Sequence, residues 1–139
     1  MVLVTEIGDF RRFESPRQLM AYVGLVPSEH SSGERERRGS ITKAGNSRCR
    51  HVLVQAAWSY QHRPAVGAAL KKRQQGAPPA VIGHAWKAQH RLYKLFHRIA
   101  FRRPRQVAAV AVAPELVGFV WAMLQDVQLE VEAADRAAA

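Results

Sequence analysis

The sequence predicts an all-α protein, a small helical domain with a long Ser/Gly/Arg-rich loop between its first two main helices. Apolar residues recur at intervals of three and four in several stretches, which is the period of a helix with one buried face. Ser, Asn or Pro stands just before these stretches, where helices begin. Residues 25–45 show no such period, which predicts the loop, with a short extended piece at residues 40–42.

The first main helix is predicted over residues 16–23. Ser15 can cap this helix, Pro16 suits its first turn, and Gln18 can complete a capping box. Gly24 can end it, because glycine accepts the left-handed conformation that is common just after a helix.

The second main helix is predicted to begin directly after the loop, with Asn46 or Ser47 as its cap. Its apolar residues have the clearest helical spacing in the chain, and they are Cys49, Val52, Leu53, Ala56, Ala57 and Tyr60. Pro64 marks a kink or a new helix start, and the apolar pattern continues to about residue 73.

A third helix is predicted over about residues 80–102. Its apolar face is expected to comprise Ile82, Ala85, Trp86, Leu92, Tyr93, Phe96 and Ile99. The Ala/Val run at residues 107–112 indicates a further helical stretch. Pro114 is expected to be at the start of the last helix. The domain is placed at residues 1–128, and the polar, Ala-rich residues 129–139 are predicted to be a disordered tail.

Charge is the most unusual bulk property, with a formal net value of +10 from 21 Lys and Arg against 11 Asp and Glu. So basic a domain usually meets a polyanion, and we expect nucleic acid, with an anionic membrane surface as the alternative. No run of about 18 apolar residues is present, which predicts no membrane span. A single cysteine cannot form an internal disulfide and fits the reducing cytoplasm, which is the predicted location.

Ser31-Ser32-Gly33 is the part of the loop that suggests chemistry. A serine can attack a phosphodiester when its hydroxyl is in line with the bond and cations absorb the developing charge. The candidate cations are Arg35, Arg37, Arg38, Lys43, Arg48 and Arg50. The alternative is that Ser and Gly occur here as ordinary loop residues.

Two further features fit phosphate contact. Gly45 precedes a helix N-terminus, which is a natural anion site or simply an ordinary capped helix start. The third helix carries a basic stripe at spacings of four, three and four, formed by Lys87, Arg91, Lys94 and Arg98. Such a stripe is either a nucleic-acid contact or a solvated helix face.

Nothing in the sequence predicts a metal site. The six histidines form no His-x-x-x-His pair on a helix, and the single cysteine has no partner, which argues against zinc. The few carboxylates have no metal-binding spacing. Cys49 lies on an apolar stripe and is interpreted as a small core residue.

Several fragments of the chain, taken in order, carry a family resemblance. They are Phe10-Arg11-Arg12-Phe13, the stretch from Gln18 to Pro27, Ser31-Ser32-Gly33, the stretch from Arg38 to Asn46, the stretch from Arg50 to Trp58, and the stretch from Ala85 to Leu92. In this combination they resemble the C-terminal transposase domain of the insertion-sequence-110 family, which includes the 116, 902 and 1111 groups and the pilin-gene invertases. The resemblance covers about residues 3–125.

The resemblance implies a mechanism. Members of this family pair an N-terminal RuvC-like domain, whose Asp-Glu-Asp-Asp set binds Mg²⁺, with a helical domain whose serine attacks DNA and forms a 5′-phosphoserine link. The serine before the glycine of the family motif falls on Ser32, with Ser31 as the runner-up. The family further implies a homo-oligomer, a structured guide RNA, and a bacterial, nucleoid-associated location.

The sequence departs from the family pattern in two respects. It contains no RuvC-like region with the four carboxylates, and the helix-hairpin-helix turn Pro-Gly-x-Gly is absent ahead of Val2. We therefore expect an N-terminally truncated transposase fragment that holds no cofactor itself and is inactive alone. Two alternatives stay open, namely a basic nucleic-acid-binding module without catalysis and an inert gene remnant.

Overall fold

The structure, a computed structural model, describes residues 2–32, 35–41 and 45–139, with only the backbone described at residues 27–41 and at Glu130. These residues form α1 (Val2–Ile7), α2 (Pro16–Val23), β1 (Pro27–Ser32), β2 (Arg35–Ile41), α3 (Ser47–Trp58), α4 (Ala68–Arg73), α5 (Pro79–Ala100) and α6 (Arg105–Ala138). Short 3-10 turns occur at Phe10–Arg12 and Ser59–Gln61. Helices build the domain, so the predicted all-α class is confirmed.

The segment between α2 and α3 is an antiparallel hairpin of β1 and β2. The sequence locates this segment between the first two main helices but predicts extended backbone only at residues 40–42. Its Ser, Arg and Glu residues lack the apolar alternation that identifies a half-buried strand, so the pairing has no sequence signal.

The boundaries of α2 agree with the predicted capping residues. The Ser15 Oγ accepts a hydrogen bond from the Gln18 N–H at 3.3 Å. Gly24 ends the helix in the left-handed conformation, with φ 72° and ψ 28°. The Gln18 side chain accepts from the backbone N–H of Glu14 at 2.9 Å, so it closes the turn one residue before the cap.

α6 is the central element of the core and packs against α2, α3 and α5. It runs antiparallel to α5, because Arg91 contacts Glu115 whereas the earlier His84 contacts the later Phe119. Its buried residues are largely small, which allows close approach of the neighbouring helices. They are Ala108, Ala109, Val112, Ala113, Leu116 and Val117.

α6 is a single helix where the sequence predicts two. Pro114 lies inside it, so the prediction that this proline opens a separate helix is wrong. A proline removes one backbone N–H, and the packing of Ala113 and Leu116 on either side holds the helix across that gap. Residues 129–139, for which the sequence predicts a disordered tail, instead continue the helix to Ala138, in keeping with their Ala and Glu content.

α6 is also the one helix, within the described part of the chain, that is long and apolar enough to cross a membrane. Its most apolar 18-residue window has a mean hydropathy of 2.0, and 33% of that window is buried inside the protein. A central core helix meets the same criteria of length and composition, so they are a weak indication. The absence of a membrane partner therefore stays a prediction.

Candidate nucleic-acid interface

The hairpin joins the helical domain where the chain leads into α3. The backbone N–H of Asn46 donates to the Tyr22 carbonyl at 2.8 Å, which ties the start of α3 to the end of α2. Gly45 has φ +113°, and a Cβ at this position would overlap the Tyr22 carbonyl. Glycine is required here, because both the backbone conformation and the close approach exclude a side chain.

The side chain of Asn46 connects three helices at this junction. Its Oδ1 accepts from the N–H groups of Arg48 and Cys49, both at 3.1 Å, which caps α3 as predicted. Its Nδ2 donates to Glu6 Oε2 at 3.1 Å and to Tyr22 Oη at 3.4 Å. One amide group thus fixes α1, α2 and α3 relative to one another at the base of the hairpin.

Arg48, a predicted phosphate contact, is paired with Glu6. Its Nη1 lies 2.9 Å from Glu6 Oε1, while its side chain remains 78% exposed. Hydrogen bonds from Asn46 and from Arg48 lower the pKa of the Glu6 carboxyl. Arg48 is therefore held at the N-terminus of α3, accessible to a ligand but partly compensated in charge. Arg50, the next predicted contact, is half-buried on the same helix.

Arg12 is a cation beside this junction that the sequence does not single out for DNA contact. Its guanidinium lies 4.9 Å from the ring centroid of Phe13 and 4.8 Å from that of Tyr22. Stacking on two aromatic rings fixes the position of an exposed arginine. Phe13, next to Arg12 in the sequence, is the local signal for this arrangement, whereas Tyr22 lies ten residues beyond Arg12 in the chain.

The register of the hairpin places Ser32 opposite Arg35 and Ser31 opposite Glu36. The backbone therefore brings the candidate nucleophile next to one of its candidate cations. The side chains of these four residues lie outside the described part of the structure, as does all of Gly33. The nucleophilic role of Ser32, with Ser31 as runner-up, stays a prediction.

For the other cations of the predicted loop, too, the structure describes no side chain. Arg37 lies opposite His30 and Arg38 opposite Glu29 in the backbone register. Their side chains, and the whole of Lys43, lie outside the described residues. Their predicted phosphate contacts also stay predictions.

The basic stripe of α5 lines one open groove between α5 and α6, with a volume of about 550 Å³. Its lining residues are Trp86, Lys87, His90, Arg91, Lys94, Leu95, Arg98 and Glu115. All four cations that the helical spacing groups together are present, so the prediction that they share a face is confirmed. Their contact with DNA stays a prediction.

The cations of this α5 groove differ in how they are paired. Arg91 makes a two-point contact with Glu115, with Nε 3.0 Å from Oε2 and Nη2 3.4 Å from Oε1. Lys87, Lys94 and Arg98 have no ion-pair partner among the residues that the structure describes. Within that part of the chain, the groove therefore offers three uncompensated positive charges to a ligand.

Trp86 lies in the α5 groove, and its predicted place on the apolar face is wrong. The residue is 42% exposed, and its ring contacts that of His90 edge-to-face, at a centroid distance of 4.5 Å and an interplanar angle of 81°. The buried face of α5 is centred on Leu92 and Phe96. Residue 86 is about 120° around the helix from residue 92. The position of Trp86 in the helical period therefore indicates the groove, whereas its apolar character indicates the core and is misleading here.

Within the described residues, no group of three or more His, Cys, Asp or Glu side chains is placed to hold a metal ion. Cys49 is fully buried, which confirms its interpretation as a core residue, and burial raises the pKa of its thiol. A buried thiol of this kind is a poor nucleophile.

Comparison with known proteins gives the family. The profile of the transposase IS116/IS110/IS902 family matches residues 1–72, which is more than half of the chain. The chain belongs to this transposase family. The matched region runs from α1 into α4 and includes the hairpin and the Asn46 junction.

Individual relatives agree with the family match. A Sinorhizobium fredii protein named as a transposase, y4qE, is 46% identical over 127 residues, which are 91% of this chain and 33% of that protein. The transposase for insertion sequence element IS1111A of Coxiella burnetii is 29% identical over 118 residues, or 85% of this chain and 27% of that protein. The chain thus spans about a third of these relatives' length or less. No solved structure matches it.

Proposed function

We propose that this chain is the part of a DNA transposase that binds DNA and supplies the attacking serine, Ser32. The observation that carries the proposal is the family match over residues 1–72, which contains both candidate serines. The hairpin register, with Ser32 opposite Arg35, supports a hydroxyl close to a positive charge.

In the proposed reaction, the Ser32 Oγ attacks the phosphorus of a DNA phosphodiester. The Oγ–P bond forms as the bond from phosphorus to the 3′ oxygen breaks, the serine gives up its proton, and the leaving oxygen takes one up as a 3′-hydroxyl. The strand then carries a 5′-phosphoserine link. Arg35 and the neighbouring loop arginines stabilise the charge that develops on the phosphate oxygens.

The remaining partners belong to the whole protein. Mg²⁺ would be held by a RuvC-like domain, where it supplies Lewis-acid stabilisation, and the described residues of this chain offer no ligand set for it. A guide RNA, a homo-oligomer and a cytoplasmic, nucleoid-associated location complete the proposal. The net charge of +10 supports a polyanionic partner.

The test is a chimera in which this chain replaces the matching third of the Sinorhizobium fredii relative y4qE. The chimera is incubated with Mg²⁺, with RNA transcribed from the flank of the relative's own element, and with labelled DNA that carries the ends of that element. Covalent protein–DNA adducts are then separated under denaturing conditions. We expect an adduct with the unaltered chimera, none with Ser32→Ala, and an adduct with the matched control Ser31→Ala.

The adducts also distinguish the alternatives. Loss of the adduct in Ser31→Ala but not in Ser32→Ala assigns the reaction to the runner-up serine. Persistence in both variants contradicts a serine nucleophile at either position. DNA binding without any adduct favours a non-catalytic binding module, for which the α5 groove, distant in sequence from both serines, is the supporting observation.

A further inference from the structure

We propose that the α5 groove binds single-stranded nucleic acid, with an unpaired base stacked on Trp86 and phosphates contacted by Lys87, Lys94 and Arg98. This inference rests on the proposed function for the presence of nucleic acid. Beyond that function, it specifies the form of nucleic acid that this surface binds and the residue that recognises that form.

The first observation is the placement of Trp86. Its indole is the largest exposed apolar ring in the groove, with 42% of the residue open to solvent. The ring of His90 meets it edge-to-face, at an interplanar angle of 81°, instead of stacking on it in parallel. Such a contact restrains the indole and leaves it available to a flat partner such as a base.

The second observation is the charge around that ring. Lys87, Lys94 and Arg98 spread over about 16 Å of helix, and they have no ion-pair partner in the described part of the chain. A phosphate backbone laid along α5 can contact all three while a base turns towards Trp86. Leu95 adds an apolar contact on the same surface. Basic residues beside an exposed aromatic ring are the usual composition of a single-strand site.

The third observation concerns the negative charge in the groove. Glu115 would repel a phosphate, but its two carboxylate oxygens accept hydrogen bonds from Arg91 at 3.0 and 3.4 Å. The pair is nearly neutral and joins α5 to α6 across the groove. The path along the three uncompensated cations therefore stays attractive to a polyanion.

The choice of single strand over duplex follows from the stacking contact. In a duplex each base is covered on both faces by its neighbours, and exposing one costs a few kcal/mol of lost stacking and pairing. An unpaired base offers an open face at no such cost. Duplex DNA can use only the cations, so it gains nothing from Trp86.

The experiment measures binding of the full chain to fluorescein-labelled oligothymidine, oligouridine and a duplex of the same length, by fluorescence anisotropy. We expect both single strands to bind more tightly than the duplex. Trp86→Ala should weaken single-strand binding by at least about fivefold and leave duplex binding unchanged, and Trp86→Phe should lose less. The matched control is Phe101→Ala, which removes an aromatic ring that is 85% exposed and lies outside the groove.

A second readout is direct. Stacking of a base quenches indole fluorescence, so oligothymidine should quench the wild-type signal more than that of Trp86→Phe, in which Trp58 and Trp121 remain. Thermal unfolding by circular dichroism establishes that each variant is folded.

The outcomes separate this inference from the proposed function. Single-strand binding that is unaffected in folded Trp86→Ala, or a preference for duplex, overturns the stacking site and leaves DNA binding in place. Absence of binding to all three probes overturns both. Equal binding of oligothymidine and oligouridine supports recognition of the features that the two strands share. A preference for one supports the same site with an added contact to the sugar or to the thymine methyl group.

Discussion

Asn46 and Gly45 show how much of the candidate site depends on single residues. The side-chain oxygen of Asn46 caps α3, while its nitrogen donates to Glu6 and Tyr22. The capping role is predictable, because Asn before an apolar period is a helix-start signal. The second role is not, because Glu6 lies 40 residues away in the sequence and no local pattern relates the two.

Glu6→Gln should change how stability depends on pH. The pKa of Glu6 is lowered in the folded protein, so the carboxylate stabilises the fold above its ordinary pKa of 4.5. That contribution is lost as the pH falls through the lowered value. We therefore expect the thermal midpoint of wild type to decrease more steeply than that of Glu6→Gln as the pH falls from about 6 to about 3.

The matched control for this titration is Glu14→Gln, which removes an exposed carboxylate with no ion-pair partner in the described structure. Its pH profile should parallel that of wild type. Coincident profiles for wild type and Glu6→Gln would show that the Glu6 contacts do not stabilise the folded chain.

Gly45→Ala should be strongly destabilising, by about 3 kcal/mol, because an alanine at positive φ would also overlap the Tyr22 carbonyl. Gly83→Ala is the matched control, since it adds the same methyl group in open space on α5. It should raise the free energy of unfolding by about 0.5–1 kcal/mol, through helix propensity. Chemical denaturation measures both, and equal effects would contradict the close approach at Gly45.

At the scale of single elements, the α5 groove combines features that the sequence predicts with features that it does not. The sequence predicts the helix to within about two residues of Pro79–Ala100 and groups its four cations on one face. It does not predict the wall of the groove, because Glu115 belongs to another helix and meets Arg91 only through packing. It also misplaces Trp86, because an aromatic residue is ordinarily assigned to a core and its position around the helix is a weaker signal.

Glu115→Gln should strengthen nucleic-acid binding by about two- to fivefold at low salt, because it removes the negative charge from the groove and frees Arg91. Glu132→Gln is the matched control. It makes the same change in net charge on α6, but at a carboxylate that lies 3.6 Å from Arg11 and outside the groove. Anisotropy titrations compare the two, and equal gains would mean that net charge alone, and not the groove, determines affinity.

At the scale of the whole molecule, α6 holds together parts of the chain that are far apart in sequence. Trp121 donates its Nε1–H to the Phe13 carbonyl at 2.8 Å, across 108 residues. The all-α class and most helix boundaries follow from local spacing and capping. The continuity of α6 through Pro114 and the pairing of the hairpin do not, because tertiary packing and backbone hydrogen bonds decide them against the local signals.

Trp121→Phe should lower the free energy of unfolding by about 1 kcal/mol, because it removes the hydrogen bond and leaves the Phe13 carbonyl without its partner. Trp86→Phe makes the same change of ring at an exposed position without that bond, and we expect almost no effect. Denaturant titration of both proteins is the measurement. If the Trp121→Phe protein were as stable as the Trp86→Phe protein, the hydrogen bond from Trp121 to Phe13 would not contribute to holding α6 in place.

The antiparallel packing of α5 and α6 separates positive from negative charge along this pair of helices. Four basic residues, Arg98, Arg102, Arg103 and Arg105, gather where the two helices connect. Towards the far end of α6, acidic residues outnumber the one arginine, Arg136; they are Asp126, Glu130, Glu132 and Asp135. The field of a polyanion exerts a torque on such a charge distribution, so we expect the connection and the adjoining groove to face the polyanion during the approach. Orientation before contact then becomes a property of the fold. Ionic strength should accordingly change the association rate of the complex more than its dissociation rate.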